Sequence, residues 1–210
     1  MEGSFSALLD QAFAESSVAI FGMVDLSDHV GDGEAVAEDQ LSQGADFLDV
    51  RIDGVRRSQS EWDEELLLML ERLAHRYPGR LCMLGDLAVP FDQRALNSLS
   101  LVRRPEGNGL SRSDLIDPHS AVMVGWSCSS QESSFSESLA RLRALRSEAT
   151  PKHLHLAIPR TEVEEGVRRE GIVATQVALA VIEGATLLSV HDVRAAVKAR
   201  DEIVKIQHAR

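Results

Sequence analysis

Val18-Ala-Ile-Phe-Gly-Met-Val-Asp25 is followed by Leu26-Ser-Asp-His-Val-Gly-Asp-Gly33, then Glu34-Ala-Val-Ala-Glu-Asp-Gln-Leu-Ser42, then Phe47-Leu-Asp-Val-Arg-Ile52. An unbroken apolar run of strand length stops at an acid, and a polar, glycine-containing loop leads into a helix. Gly44 ends that helix, and a second apolar run begins. Strands that are apolar throughout, rather than alternating, are those buried on both faces. Their alternation with amphipathic helices points to a parallel sheet covered by helices.

The rhythm repeats outward from this unit. Leu8, Leu9, Ala12 and Phe13 fall at helical spacing within Ser6–Ala14, so residues 1–16 are expected to form a leading helix. The spacing predicts a helix over Trp62–Tyr77, stopped by Pro78-Gly79, and a strand over Leu81–Leu84 that runs into Gly85-Asp86. The middle is less regular. Ala95–Val102 is expected to be a short strand, followed by a loop from Pro105 and a polar stretch to Ser120. Strands are then expected at Ala121–Trp126, Lys152–Ile158 and Thr186–Val190. Helices are expected at Ser136–Ser147, at Glu164–Glu183 with a break near Gly171, and from Asp192 to Ile206. The expectation is a single domain, 1–210, built as a TIM-like (β/α) barrel of seven or eight parallel strands. Seven strand candidates are readable, and about 24 residues per unit is short for an eightfold barrel.

Composition excludes several classes. With 22 Lys+Arg against 33 Asp+Glu the net charge is −11, which repels phosphate backbones and argues against nucleic-acid binding. No run approaches the roughly 20 apolar residues of a membrane span. The first residues lack the basic and apolar regions of a signal peptide, so a cytoplasmic location is expected. Cys82 and Cys128 form no disulfide framework and read as buried small hydrophobes.

In parallel α/β folds, ligands bind beyond the carboxyl ends of the strands. Those ends carry Asp25, Asp28 and Asp32, then Asp53 and Arg56, then Asp86, Arg160, and His191-Asp192. Each single acid also reads as a helix N-cap, Asp32 and Asp192 above all. Recurrence of polar residues at successive strand ends instead describes a functional mouth.

These residues carry a resemblance. Gly22-Met-Val-Asp-Leu-Ser-Asp-His-Val-Gly-Asp-Gly33 is similar to the first strand and loop of dihydropteroate synthases, and Gln43-Gly-Ala-Asp-Phe-Leu-Asp-Val50 to the approach to their second strand. Gly171 to Val193, ending Gly184-Ala-Thr-Leu-Leu-Ser-Val-His-Asp-Val193, resembles the family's last helix, last strand and Arg-Val-His-Asp-Val signature. The likeness covers roughly residues 18–57, 81–95 and 158–200. It implies a pterin-binding barrel that condenses a dihydropterin diphosphate with p-aminobenzoate in folate biosynthesis, with Mg²⁺. By that resemblance Asp25 helps hold the metal, Asp86 and Asn97 contact the pterin, and Arg56, Arg160 and His191 face diphosphate or aminobenzoate. A homodimer through the last helices is also implied.

The departures define the alternative. The signature's Arg is Ser189, and the Thr and Pro that flank the second-strand Arg in the family are Val55 and Arg57. Asp117-Pro118-His119, the nearest match to the family's strand-six Asp motif, reads better as a turn. A non-catalytic or substrate-switched homologue, acting as a pterin-binding or partner-binding scaffold, is the competing expectation.

Other signals are weaker. His153-x-His155 puts two imidazoles on one strand face without a third ligand nearby, and reads as two strand residues. Asp49-x-Arg51-x-Asp53 resembles the Glu-x-Arg-x-Asp of type I dehydroquinate dehydratase. That lyase needs a Schiff-base lysine one strand after its histidine, and only Lys198 and Lys205, both on the final helix, follow His191. Ser127-Cys-Ser-Ser130 has no His or Asp at a readable spacing and is expected to be a polar strand end.

Overall fold

Eight strands close into one barrel in chain order, with the first hydrogen-bonded to the last. The computed structural model describes residues 4–26, 32–52, 64–84, 93–105, 113–119, 122–127, 134–148, 153–160 and 167–209. The elements run α1 (Phe5–Glu15), β1 (Ala19–Asp25), α2 (Gly33–Ser42), β2 (Phe47–Arg51), α3 (Glu64–Arg76), β3 (Leu81–Met83), α4 (Gln93–Ser98) and β4 (Leu101–Pro105). They continue with β5 (Ser113–Asp117), β6 (Val122–Ser127), α5 (Phe135–Glu148), β7 (Leu154–Ala157), α6 (Val167–Ile182), β8 (Leu187–Val190) and α7 (Val193–His208).

The irregular middle departs from a simple repeat. β5 pairs antiparallel with both β4 and β6, while every other pair is parallel. Seven strands therefore point one way and β5 alone is reversed. A parallel crossover needs a dozen or more residues, whereas antiparallel neighbours need only a short link. Residues 106–112 separate β4 from β5 and 118–121 separate β5 from β6, which is how 210 residues close eight strands. The expected strand at Ala95–Val102 is instead helix α4 followed by β4, and β5 lies inside the stretch read as polar loop.

Other boundaries follow local chemistry. Gly44 and Gly184 take φ of 101° and 100° just after α2 and α6, the left-handed conformation that ends helices. Gly171 does not break α6, which runs unbroken from Val167 to Ile182. No described helix is long and apolar enough to cross a membrane.

Packing divides between a barrel interior and two clusters beneath the outer helices. The interior holds Ala19, Phe21, Phe47, Cys82, Leu101, Leu115 and Leu187. α1 closes its lower end with Phe5, Leu9 and Ala12, and the Phe5 and Phe47 rings lie 5.1 Å apart. The leading helix is thus a plug. Above this layer the interior turns polar.

Candidate functional site

Side chains alternate along a strand, so the inner face of β2 carries Phe47, Asp49 and Arg51 in order from floor to mouth. Asp49 is fully buried. Its Oδ1 accepts from the Leu84 N–H at 2.8 Å, and its Oδ2 accepts from Arg51 Nε and Nη2, both at 3.1 Å. Asp25, at the end of β1, is the register partner of Arg51, so both sit at the rim. Arg103 of β4 is paired with the inward-facing Leu115 and belongs to the same inner face.

Opposite Asp49, a second polar group crosses three strands. His155 Nδ1 lies 2.9 Å from Ser127 Oγ and its Nε2 lies 2.8 Å from Ser189 Oγ. All three residues are fully buried. Burial, aided by Arg51 and Arg103 and opposed by Asp49, pushes the His155 pKa down to about 3, so the ring is neutral. Ser127 therefore has a histidine partner, which sequence spacing did not reveal because 28 residues separate the two. His155 is satisfied at both nitrogens, and His153 stacks on Phe13 of α1 at 4.8 Å, so the two do not act as a chelate. Sealed from solvent, the Ser127–His155–Ser189 group is a polar floor.

The mouth lies above this floor. His191, just past β8, is half-buried, and its pKa is pushed down to about 4 by burial and by Arg51 and Arg160, against the pull of Asp25 and Asp49. It is a neutral imidazole at pH 7, able to accept one hydrogen bond and donate another. Arg160, exposed beyond β7, lines a small cleft with His191 and Asp192. Asp192 caps α7, accepting from the Ala195 N–H at 3.1 Å, and pairs with Arg169 at 3.6 Å, so its role there is structural.

The structure thus brings together Asp25, Arg160 and His191 among the residues singled out from sequence. Asn97 does not join them. It lies exposed on α4, before β4, accepting from Gln93 Nε2 at 3.1 Å, because the segment expected as strand is helical there. Arg56 and Asp86 lie outside the described residues. Asp117 makes the expected turn, accepting from the His119 N–H at 2.9 Å. Arg51 and Asp49 are the additional site residues. Their signal was the period-two polar pair inside an otherwise apolar strand. Among the described residues, no three His, Cys, Asp or Glu side chains cluster to hold a metal by themselves.

No protein-family model and no curated protein matches the chain. Solved structures do. Dihydropteroate synthase from Stenotrophomonas maltophilia, with imidazole bound in its active site, is 17% identical with a TM-score of 0.57, over 92% of this chain and 94% of that one. The Xanthomonas albilineans synthase in complex with 7,8-dihydropteroate is 18% identical with a TM-score of 0.56, over 90% and 93%. The 7,8-dihydropteroate synthase of Vibrio fischeri is 12% identical with a TM-score of 0.57, over 92% and 94%. At these identities the likeness is one of fold: the chain is a TIM-like barrel of the kind dihydropteroate synthases adopt.

Proposed function

We propose that this protein binds a pterin-type small molecule in the mouth of its barrel, as a divergent relative of dihydropteroate synthases. The observation that carries the reading is the convergence of Asp25, Arg51, Arg160 and His191 at the carboxyl-end rim of a barrel with that fold. In this reading Asp86 takes the aminopyrimidine edge, since a carboxylate accepts paired N–H bonds. Arg56, Arg160 and His191 face the diphosphate or the aminobenzoate. Asp25 offers one hard oxygen, and Mg²⁺ commonly binds through one or two carboxylates plus phosphate oxygens of the ligand, so the donor set suits it in the presence of a diphosphate. Turnover would form a C–N bond between the dihydropterin methylene and the aminobenzoate amine, with diphosphate leaving.

A second reading, a homologue with a changed substrate or no turnover, is favoured by Ser189. The residue aligned with the family's arginine is fully buried against His155 and offers no cation to a diphosphate. Calorimetric titration with 7,8-dihydropterin diphosphate, with and without Mg²⁺ and p-aminobenzoate, separates the two, with chromatography for dihydropteroate. Product supports the synthase reading, and binding without product supports the second. No binding at millimolar dihydropterin diphosphate removes both pterin-binding readings and leaves a homologue with a changed substrate.

A further inference from the structure

We infer that Arg51 is the residue that holds an oxyanion of the ligand, a carboxylate or phosphate oxygen, in the barrel mouth, and that Asp49 is the positioning residue that fixes it there. The inference rests on the mouth being the binding site, as proposed above, but not on the ligand being a pterin.

Charge is the first argument. The chain as a whole carries −11, yet the inner rim gathers arginines. Arg51 and Arg160 are both close enough to His191 to lower its pKa, and Arg51 and Arg103 both act on His155. Two acids share this rim with them, Asp25 and Asp49, and both oxygens of Asp49 are already committed. In a chain of net charge −11, a rim where Arg51 and Arg160 offset Asp25 and Asp49 around one neutral imidazole repels an anion far less than the rest of the surface does.

Geometry is the second. Arg51 uses Nε and Nη2 on one oxygen of Asp49, and among the described residues Nη1 makes no hydrogen bond. The side chain is 12% exposed, where Asp49 beneath it is sealed. Asp49 is itself anchored to the β3 backbone through Leu84. A guanidinium braced from below by Asp49 and still partly exposed is preorganised for charge-assisted binding and loses little side-chain entropy on doing so. A purely structural ion pair would need no such exposure.

The test uses inorganic diphosphate and benzoate as separate probes, titrated into the intact protein by calorimetry. At least one should saturate below about 10 mM, and which one does identifies the source of the oxyanion. Arg51→Gln should weaken that binding by about tenfold or more while the protein still melts cooperatively, and Arg51→Lys, which keeps charge but not the fork, by less. If Arg51→Gln does not fold, Arg51→Lys carries the test with a loss of about threefold or more. Asp49→Asn retains an acceptor for the Leu84 N–H while loosening Arg51, and should weaken the anion and steepen its salt dependence. Unchanged affinity in both Arg51 variants, or no binding of either probe, overturns the inference. A dihydropterin without diphosphate, titrated in parallel, keeps the two readings apart. Its binding without either anion overturns this inference alone, and anion binding without it overturns the pterin reading alone.

Discussion

His155 Nε2 and Ser189 Oγ lie 2.8 Å apart, with both residues fully buried between β7 and β8. Ser127 on β6 completes the group from the other ring nitrogen at 2.9 Å. A buried imidazole without partners would be costly, and two hydroxyls remove that cost by supplying one acceptor and one donor. The position that resembles an arginine site in the sequence is therefore committed to the interior of this barrel.

Restoring the family residue should fail. In Ser189→Arg the guanidinium would enter a space already filled by His155 and lying beside Phe21, whose register partner is Ser189. Overpacking together with an unpaired buried charge should cost about 3 kcal/mol or more. Ser189→Ala leaves one His155 nitrogen unpaired and should cost about 1–3 kcal/mol. Urea denaturation measures both, and an arginine variant as stable as wild type would refute the sealed floor.

Acid should weaken the fold. His155 and His191 have folded-state pKa values of about 3 and about 4, below the ordinary histidine value of 6.5. Between those limits the unfolded chain binds more protons than the folded one, so stability rises with pH. The contribution of each is complete above about 6.5 and is lost as pH falls toward 4 and then 3. Each histidine can add a slope of at most about 1.4 kcal/mol per pH unit, and His191 less because it is partly solvated. Urea midpoints at pH 7, 5.5 and 4.5 should fall accordingly, and His191→Asn should flatten the slope between pH 6.5 and 4. An identical slope in the variant would show that His191 is not held neutral by the fold.

Much of this barrel is legible in the chain. Val18–Val24 is an unbroken apolar run, and Phe47–Ile52 and Thr186–Val190 are largely apolar, each with helices before and after it in the chain, so burial on both faces writes itself into composition. β5 was not legible. Ser113-Asp-Leu-Ile-Asp117 has only two adjacent apolar residues between polar ones, and it pairs through a register shift at Leu115/Ile116, so it carries neither a continuous apolar run nor an alternating pattern. Ala95 within α4 and Leu99 just after it, both fully buried, belong to one short segment that periodicity alone cannot assign to helix or strand. At the site, strand-end residues such as His191 could be found because chain position fixes their place at the mouth. The Ser127–His155–Ser189 group could not, since its contacts span 28 and 34 residues and depend on barrel closure.

Asp49 should be the most sensitive acid among the described residues. Asp49→Ala removes the acceptor for the Leu84 N–H and leaves Arg51 facing inward without its partner. Breaking a buried pair on one side typically costs about 3–5 kcal/mol, and the partial exposure of Arg51 places this case at the lower end. Asp49→Asn with Arg51→Leu removes the charges together and should recover most of that loss. Thermal or urea unfolding of Asp49→Asn, Arg51→Leu and their double variant forms the cycle, and additive losses would show that the two side chains do not act as a pair.

Two glycines should respond in opposite directions to the same added methyl group. A Cβ on Gly125 of β6 would fall 2.3 Å from the carbonyl oxygen of His153, the same oxygen that accepts the Trp126 N–H at 3.0 Å. The clash is with backbone, so relief requires the β6–β7 seam to open beside the reversed strand. Gly125→Ala should cost about 2 kcal/mol or more. Gly171 is exposed inside α6, with nothing within 4 Å of the added Cβ. There alanine restricts the unfolded chain and suits the helix, so Gly171→Ala should stabilise by about 0.5–1 kcal/mol. Denaturant midpoints of the two variants, measured side by side, decide the matter. A tolerated Gly125→Ala would mean that β6 and β7 are not in the close backbone contact that the added Cβ would meet.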